Sequence, residues 1–191
     1  METERILLRK VKREDVEDIF EYAVEPDTGP MAGWPPHQNI EETHKIMDIW
    51  LQPGYREVVY AVVYKPENKV IGTIGVTDLN KHIKDKNNVF VNQIIETGKK
   101  TYELGCVLGK KYWGKGIATE IIKLIMDYLF ENLEADVIIC CHYKENIGSK
   151  KAQERNNLKV IGEYTRDRKW WITDCDTMVV RAKTREEWQK E

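Results

Sequence analysis

The sequence has no long apolar run. None of its apolar stretches approaches the roughly 18 residues that a membrane-spanning helix needs. The opening segment, METERILLRKVKRED, also lacks the apolar centre of a signal peptide. We therefore expect a cytoplasmic protein with no membrane partner.

Cysteine and histidine are scarce, with four of each, and they are not spaced like metal ligands. The sequence contains neither a C-x-x-C pair nor an H-E-x-x-H motif. We predict no metal site, and we interpret the cysteines as core thiols of a reducing compartment. Cys140 and Cys141 lie in an apolar run and are predicted to be core residues rather than nucleophiles.

The sequence also has no large excess of positive or negative charge. The chain has 30 lysines and arginines against 32 aspartates and glutamates, a formal net charge of −2 at pH 7. This balance provides no basic field that would attract nucleic acid or an anionic membrane, so neither is expected as a partner. The length of 191 residues and the lack of repeats or linkers predict one domain, over residues 5–188.

What the sequence does contain is a mixture of helix and strand patterns. Strands are predicted for RILLRKV, TYELGCVLG, DVIICCH, KVIGEYTR and KWWITDCDTMVVRAK, and a hairpin for EVVYAVVYKPENKVIGTIGVTDL. Helices are predicted for REDVEDIFEYAV, IEETHKIMDIWLQ, IATEIIKLIMDYLFENL and NIGSKKAQERNNL. We expect Asn146 to cap the start of the last helix and Asn157 to end it in the left-handed conformation.

Two segments carry weaker patterns. Glu25 to Asn39 is rich in proline and glycine and is predicted to be a loop. Asn80 to Lys100 is polar and rich in lysine, interrupted by VFVNQII. We expect this segment to be an insertion with one short strand of its own, although a mobile loop or an oligomer contact fits the same residues.

The motif with the most chemical content is GKKYWGKG, Gly109 to Gly116, between a predicted strand and a predicted helix. The first turn of a helix leaves about four N–H groups without partners, and the helix dipole adds positive charge. Gly114 and Gly116 would let an anion approach the backbone because they have no Cβ. With three lysines nearby, the motif predicts a phosphate site.

Three interpretations of this site are open. The spacing G-x-x-x-x-G-K resembles a nucleotide triphosphate loop, but Gly116 stands where that loop needs a Ser or Thr hydroxyl for magnesium. A plain glycine turn with solvated lysines is the structural alternative. The third interpretation is a different device for holding phosphate.

The order of motifs decides between them. Lys111 to Gly116 reads K-x-x-G-x-G, YELGCVL precedes it, and ENIGSKKAQERNNLKVIGE follows. WPPHQNIEET and the closing TREEW add to the pattern, which spans Arg5 to Trp188. The sequence resembles the GNAT superfamily of acyl-CoA-dependent N-acetyltransferases, in particular the Rim-type branch of ribosomal-protein alanine and spermidine acetyltransferases. It departs from that pattern at Lys111, usually Gln or Arg, and at Asn157-Leu158, usually Gly-Phe.

The resemblance implies a fold and a cosubstrate. The fold is α/β (α+β): a mixed, mostly antiparallel sheet of six to seven strands flanked by about four helices. Two adjacent parallel strands are splayed to hold acetyl-CoA. The resemblance also implies that the glycine motif is a cradle for the diphosphate of acetyl-CoA, which is not cleaved and needs only N–H donors and positive charge. Acetyl-CoA and an amine acceptor, either a small molecule or a protein N-terminus, are the expected ligands, without a metal, and a homodimer is expected.

The resemblance also implies roles for individual residues. Glu103 is the expected base, directly or through a water, and Ser149 the donor of a hydrogen bond to the leaving thiolate. A Tyr that serves as general acid in many relatives is replaced here by Gln153. Trp34 and His37 are expected to contact the acceptor. The cosubstrate-binding residues would be Cys106, Val107, Leu108, Lys111, Gly114, Lys115, Gly116, Ile117, Ala118, Thr119, Asn146 and Ser149.

Each role has a structural alternative. Glu103 would otherwise be a solvated or ion-paired residue of a strand, and Asn146 and Ser149 would only satisfy a helix N-terminus. Trp34 would be a core anchor. At the level of the whole protein, the main alternative to an enzyme is a non-catalytic acyl-CoA sensor on the same fold.

Overall fold

A computed structural model of the chain describes residues 1–55, 57–82, 88–166 and 177–191. Its strands form one seven-stranded sheet in the order β1-β2-β3-β4-β5-β7-β6. The strands are β1 Ile6–Lys10, β2 Glu57–Tyr64, β3 Lys69–Asp78, β4 Thr101–Leu108, β5 Val137–Tyr143, β6 Lys159–Thr165 and β7 Thr177–Thr184. Neighbouring strands are antiparallel except for β4 and β5, which are parallel. The expected mixed sheet is therefore confirmed.

The helices are α1 Val16–Ala23, α2 Thr28–Ala32, α3 Ile40–Trp50, α4 Val89–Glu96, α5 Ile117–Asn132, α6 Ile147–Glu154 and α7 Arg185–Trp188. The four predicted helices correspond to α1, α3, α5 and α6. Asn146 caps α6 by accepting a hydrogen bond from the Ser149 N–H, and Asn157 is left-handed with φ 57°, as expected. The first half of the last predicted strand, residues 169–176, lies outside the described residues.

The longest helix, α5, packs on one face of the sheet. Its stripe Ile117, Ile121, Ile125 and Leu129 is almost fully buried, because these residues recur at helical spacing and meet the apolar side chains of the central strands. Helices α1 and α3 cover the opposite face through a second cluster that includes Met47. Below, these two sides of the sheet are called the α5 face and the α1/α3 face.

The prediction of a short strand between Asn80 and Lys100 is wrong. The apolar run forms α4, which begins where Asn88 accepts a hydrogen bond from the Val91 N–H at 3.2 Å. Val91 is 4% exposed, and Phe90 packs so closely on β6 that a Cβ on Gly162 would lie 2.2 Å from its ring. Helix α4 therefore covers the outer strands β5, β7 and β6 and adds a wall on the α1/α3 face.

The parallel pairing of β4 and β5 is short. It joins Thr101–Leu104 to Val137–Cys140 and then ends, while both strands continue in antiparallel pairing with their outer neighbours. The two strands therefore part after Leu104 and Cys140, and we call this opening the β4–β5 gap. It is the splay that the resemblance to the family implied.

Candidate active site

A cavity of about 390 Å³ lies at the β4–β5 gap. It touches both strands, helix α6 and the segments around α2 and α4. Of the predicted site residues, Glu103, Cys106, Val107, Asn146, Ser149 and Trp34 are among those that line it. The structure therefore brings together residues that are more than one hundred positions apart in sequence.

The hydrogen bonds at the ends of β4 show which way its backbone groups point. The Leu79 N–H donates to the Thr101 carbonyl at 3.0 Å, and the Gly109 N–H donates to the Ile71 carbonyl at 2.9 Å. Both bonds join β4 to β3, and no register shift lies between them. Because hydrogen-bonded positions alternate along an antiparallel pair, the odd-numbered residues of β4 direct their N–H and C=O groups to β3. The even-numbered residues direct theirs to the other edge.

Beyond the parallel pairing, the even-numbered residues are Cys106 and Leu108. Their backbone groups face the β4–β5 gap, where the next strand would have bonded. The Leu108 carbonyl accepts the indole N–H of Trp113 at 2.7 Å. Val107 was expected to offer its backbone to the ligand as well, but its N–H and C=O point to β3. Only its side chain lies on the cavity wall.

The glycine loop, Lys110–Gly116, leads from β4 into α5. Gly114 and Gly116 have φ 73° and 74°, a conformation that L side chains rarely adopt. Gly116 is the N-cap of α5, and no side chain caps the helix. The first backbone bond within the helix runs from the Glu120 N–H to the Gly116 carbonyl. The N–H groups of the first turn, residues 117–119, are therefore left for an anion.

The three lysines of the loop differ in their contacts. Lys110 forms an ion pair with Asp27, and the Lys111 ammonium lies 3.1 Å from a Glu67 carboxylate oxygen. Within the described ranges Lys115 has no ion pair, and its ammonium lies 5.4 Å from the Tyr112 ring centroid. Lys115 is thus the lysine whose charge is available to a bound anion, whereas the Lys111 side chain is held by a carboxylate.

Arg5 of the chain's first segment secures this loop, and the sequence reasoning missed it. Its guanidinium lies 2.7 Å from a Glu120 carboxylate oxygen and donates to the Lys115 carbonyl at 3.1 Å. The arginine therefore fixes the loop against the first turn of α5. It also neutralises Glu120, an acid that would otherwise repel an anion at this helix N-terminus.

The start of α6 forms the other wall of the β4–β5 gap. The Asn146 amide nitrogen donates to the Met31 carbonyl at 3.1 Å, which ties α6 to α2. The Ser149 hydroxyl oxygen accepts from the Gln153 amide nitrogen at 2.9 Å. Because that bond uses a lone pair of the hydroxyl, its hydrogen remains for another acceptor. Gln153 is 3% exposed, and its Oε1 is buried without a hydrogen-bond partner.

Glu103 lies in the parallel-paired part of β4, half-buried on the cavity wall, with Thr77 of β3 opposite. The register between β3 and β4 has no shift, so Glu103 and Gly105 share a face by simple alternation. Thr77 is fully buried, and its hydroxyl has no hydrogen-bond partner.

A buried histidine and a buried arginine lie beside α6, and the arginine is joined to an exposed carboxylate. The Arg181 guanidinium donates to His142 Nε2 at 3.4 Å and reaches a Glu154 carboxylate oxygen at 2.8 Å. His142 Nδ1 lies 2.8 Å from the Tyr143 carbonyl, so this nitrogen carries the hydrogen and the ring is neutral. Burial first, and the Arg181 charge to a smaller extent, lower the pKa of His142.

Two of the cysteines that line the cavity, Cys106 and Cys140, are poor nucleophiles. Burial raises the pKa of the Cys106 thiol to about 12. Burial, and secondarily the Glu103 charge, also raise the pKa of Cys140. Both thiols are therefore protonated at neutral pH, in line with their interpretation as core residues.

Of the two residues expected to contact the acceptor, one lines the cavity and the other does not. Trp34 lines the cavity and packs on Gly29, where an added Cβ would lie 2.6 Å from the indole. His37 does not line the cavity. Its Nδ1 lies 2.7 Å from the Thr43 hydroxyl, and its ring stands 5.3 Å from that of Trp34, so it supports the tryptophan from behind.

The described residues include no group of three His, Cys, Asp or Glu that could hold a metal ion. Nor does the described part of the chain contain a helix of the length and apolarity that crossing a bilayer requires.

Comparison with known proteins gives consistent matches. A family model described as the acetyltransferase (GNAT) domain matches residues 5–159. The uncharacterized N-acetyltransferase p20 of Bacillus licheniformis is 26% identical over 153 residues, which cover 78% of this chain and 76% of that protein.

Two solved structures share the fold over almost all of both chains. A ribosomal-protein-S5-alanine acetyltransferase from Vibrio fischeri has a TM-score of 0.68 at 18% identity and covers 98% of this chain and 97% of its own. A spermidine N-acetyltransferase from Vibrio cholerae, solved with CoA and spermine, has a TM-score of 0.71 at 16% identity, covering 98% and 99%. The resemblance to the GNAT superfamily is confirmed by the family model.

Proposed function

The chain belongs to the GNAT family of acetyltransferases, and from this premise we propose that it moves an acetyl group from acetyl-CoA to a primary amine at the β4–β5 gap. The observation that carries the proposal is the combination of two features at one place. The gap exposes the backbone edge of β4, and the uncapped N-terminus of α5 lies directly after that strand. The first feature suits a ligand that pairs like a strand, and the second suits a diphosphate.

The cosubstrate supplies the activated acetyl group, and the chain's residues position it. The N–H groups of residues 117–119, the glycines of the loop and the Lys115 charge hold the diphosphate. The Cys106 N–H faces the gap and polarises the acetyl carbonyl, as an oxyanion-stabilising donor does. Holding both reactants in one cavity contributes several kcal/mol by proximity.

Two side chains handle protons at opposite ends of the reacting bonds. Glu103 accepts a proton from the attacking amine, directly or through a water. Ser149 donates a hydrogen bond to the leaving sulfur, with its hydroxyl oriented by Gln153. The amide nitrogen and the amide oxygen of Asn146 each already form a hydrogen bond within the protein, so the role of this residue is to fix the start of α6.

Two finer expectations accompany the proposal. A homodimer is tested by size-exclusion chromatography with light scattering, where a mass near the 22.5 kDa of one chain would contradict it. A cytoplasmic location is tested by cell fractionation, where recovery of the protein outside the soluble fraction would contradict it.

The experiment that tests the function measures thiol release from acetyl-CoA with a panel of amines. We expect amine-dependent release by the wild-type protein and a 10²- to 10⁴-fold lower kcat for Glu103→Gln, because a positioned base contributes about that much. Glu131→Gln, which changes an exposed carboxylate of α5, is the matched control and should leave kcat unchanged.

The acyl-CoA sensor predicts a different result from the same experiment. It predicts binding of CoA without turnover of any amine and no effect of Glu103→Gln beyond stability. Turnover that is independent of Glu103 would retain the enzyme but contradict the role given to this residue.

A further inference from the structure

Trp113 lies in the glycine loop with much of its side chain in solvent. It is 41% exposed, whereas its neighbour Tyr112 is buried and donates its hydroxyl hydrogen to a Glu67 carboxylate oxygen at 2.6 Å. The Lys115 ammonium lies over the same Tyr112 ring. Tyr112 therefore anchors the loop to the rest of the protein, and Trp113 presents a large apolar surface on its outer side.

A hydrogen bond fixes this exposed indole at the edge of β4. Its Nε1–H donates to the Leu108 carbonyl at 2.7 Å. Leu108 is one of the two residues whose backbone groups face the β4–β5 gap, so the indole lies at the end of that edge. A single exposed apolar side chain is common on protein surfaces. A side chain held in one orientation by a short hydrogen bond is, in addition, pre-organised for contact with a ligand.

The order of groups along the chain places the indole on the path of the proposed cosubstrate. The Cys106 backbone comes first, then the Leu108 edge with the indole, and then the N–H groups of residues 117–119 at the start of α5. A ligand that pairs with the Cys106 backbone and also binds its diphosphate at α5 has to pass the indole. Its pairing with β4 ends there, because the indole lies in front of the Leu108 carbonyl.

CoA carries its own groups in the same order. Between its diphosphate and the first amide of its pantetheine arm is a pantoyl group, which has two methyl groups on a quaternary carbon. This is the bulkiest apolar part of the arm, and the amides that follow it can pair like a strand.

We propose that the pantoyl group packs on the exposed surface of the Trp113 indole. Trp113 is then a specificity-determining residue for the arm of the cosubstrate, in addition to the backbone groups that bind the diphosphate. This inference rests on the proposed function, because it concerns the cosubstrate of the same site.

The contact should affect cosubstrate binding and not the chemical step, because two amides separate the pantoyl group from the reacting thioester. Burial of two methyl groups corresponds to about ten-fold in affinity. Trp113→Ala should therefore raise Kd for CoA and KM for acetyl-CoA about ten-fold and leave kcat within about two-fold. Ile49→Ala, which shortens a 42% exposed apolar residue of α3, is the matched control and should change none of the three.

A role of Trp113 only in holding the loop would give the same kinetic result, so the decisive measurement is the contact itself. Nuclear Overhauser effects between indole protons and ligand protons are recorded on the wild-type protein with bound CoA. The Trp113 signals are identified as those that are missing from the spectrum of Trp113→Phe. We expect effects from Trp113 to the pantoyl methyl protons. Effects to the adenine protons instead, or none to the ligand, would overturn the inference.

The outcomes separate this inference from the proposed function. Contacts to the pantoyl methyl groups without thiol release by any amine would retain the inference, which then describes an acyl-CoA sensor. Amine-dependent thiol release without a contact from Trp113 would retain the acetyltransferase and overturn the inference. If the wild-type protein binds no CoA, both are overturned.

Discussion

The glycine loop offers a pair of matched substitutions that separates phosphate binding from backbone strain. Gly114 has φ 73° and Gly98, in the connection from α4 to β4, has φ 75°. A Cβ added at either glycine would meet no atom within 4 Å. Gly114→Ala and Gly98→Ala therefore impose the same local strain, but only the first places a methyl group in the space proposed for the diphosphate.

The expected magnitudes follow from this geometry. An alanine in the left-handed region costs about 1–2 kcal/mol, and the loss of unfolded-state freedom returns about 0.4–1 kcal/mol. Each variant should therefore lose about 1 kcal/mol of stability, which lowers Tm by about 2–4 °C in a chain of this size. A lost hydrogen bond from a backbone N–H to a charged phosphate costs about 1.5–3 kcal/mol, or about ten- to a hundred-fold in affinity.

The Kd for CoA is measured by calorimetric titration of both variants, and their Tm values are measured by thermal melts. We expect equal Tm losses, an unchanged Kd for Gly98→Ala and a Kd at least ten-fold higher for Gly114→Ala. If Gly114→Ala binds CoA as tightly as Gly98→Ala does, the loop is only a turn, and the diphosphate binds elsewhere.

Three further substitutions test other parts of the site. Gln153→Met removes the amide that orients the α6 serine, so kcat should fall about ten-fold with acetyl-CoA KM unchanged; stability should not fall, because the buried unpartnered oxygen is removed as well. The lowered pKa of His142 means that the unfolded chain binds more protons below about pH 6.5. Urea melts should therefore show that the free energy of unfolding of the wild-type protein falls from pH 7.5 to 5.5. The fall should be smaller in His142→Gln, and it should match the wild type in the exposed control His44→Gln. Arg5→Gln should weaken CoA binding several-fold by loosening the loop, whereas Arg13→Gln, which breaks an exposed ion pair elsewhere, should leave titrations with CoA unchanged.

Most of the fold could be predicted from the sequence because local patterns agree with the tertiary structure. The isoleucines of α5 recur at helical spacing and are the residues that the sheet buries. Asn146 and Asn157 occupy the two ends of α6 as their chemistry predicts. The gap itself was implied only by resemblance to a family, since nothing local says where the pairing of β4 and β5 ends.

Where the sequence reasoning failed, the local signal was ambiguous. VFVNQII is short, apolar and rich in β-branched residues, so it suits a strand as well as the helix α4. The N-cap by Asn88 and the packing of Phe90 on Gly162 favour the helix over a strand. Helix α2 was not predicted, because it lies in a segment rich in proline and glycine that was expected to be a loop.

The residues missed at the site make contacts that no local pattern reveals. Arg5 reaches Lys115 over 110 positions of sequence. Gln153 appeared only as the replacement of a tyrosine, and its bond to Ser149 depends on the helical spacing of four residues. His142 was considered only as a metal ligand, whereas the structure pairs it with Arg181.

The most direct test of the central claim is the thermal stability of the wild-type protein with acetyl-CoA, CoA or Mg-ATP. A ligand at 100 times its Kd adds about 2.7 kcal/mol, which raises Tm by about 5–10 °C in a chain of this length. We predict such a rise with acetyl-CoA and with CoA, and none with Mg-ATP. A rise with Mg-ATP alone would contradict the account and make the glycine loop a triphosphate site.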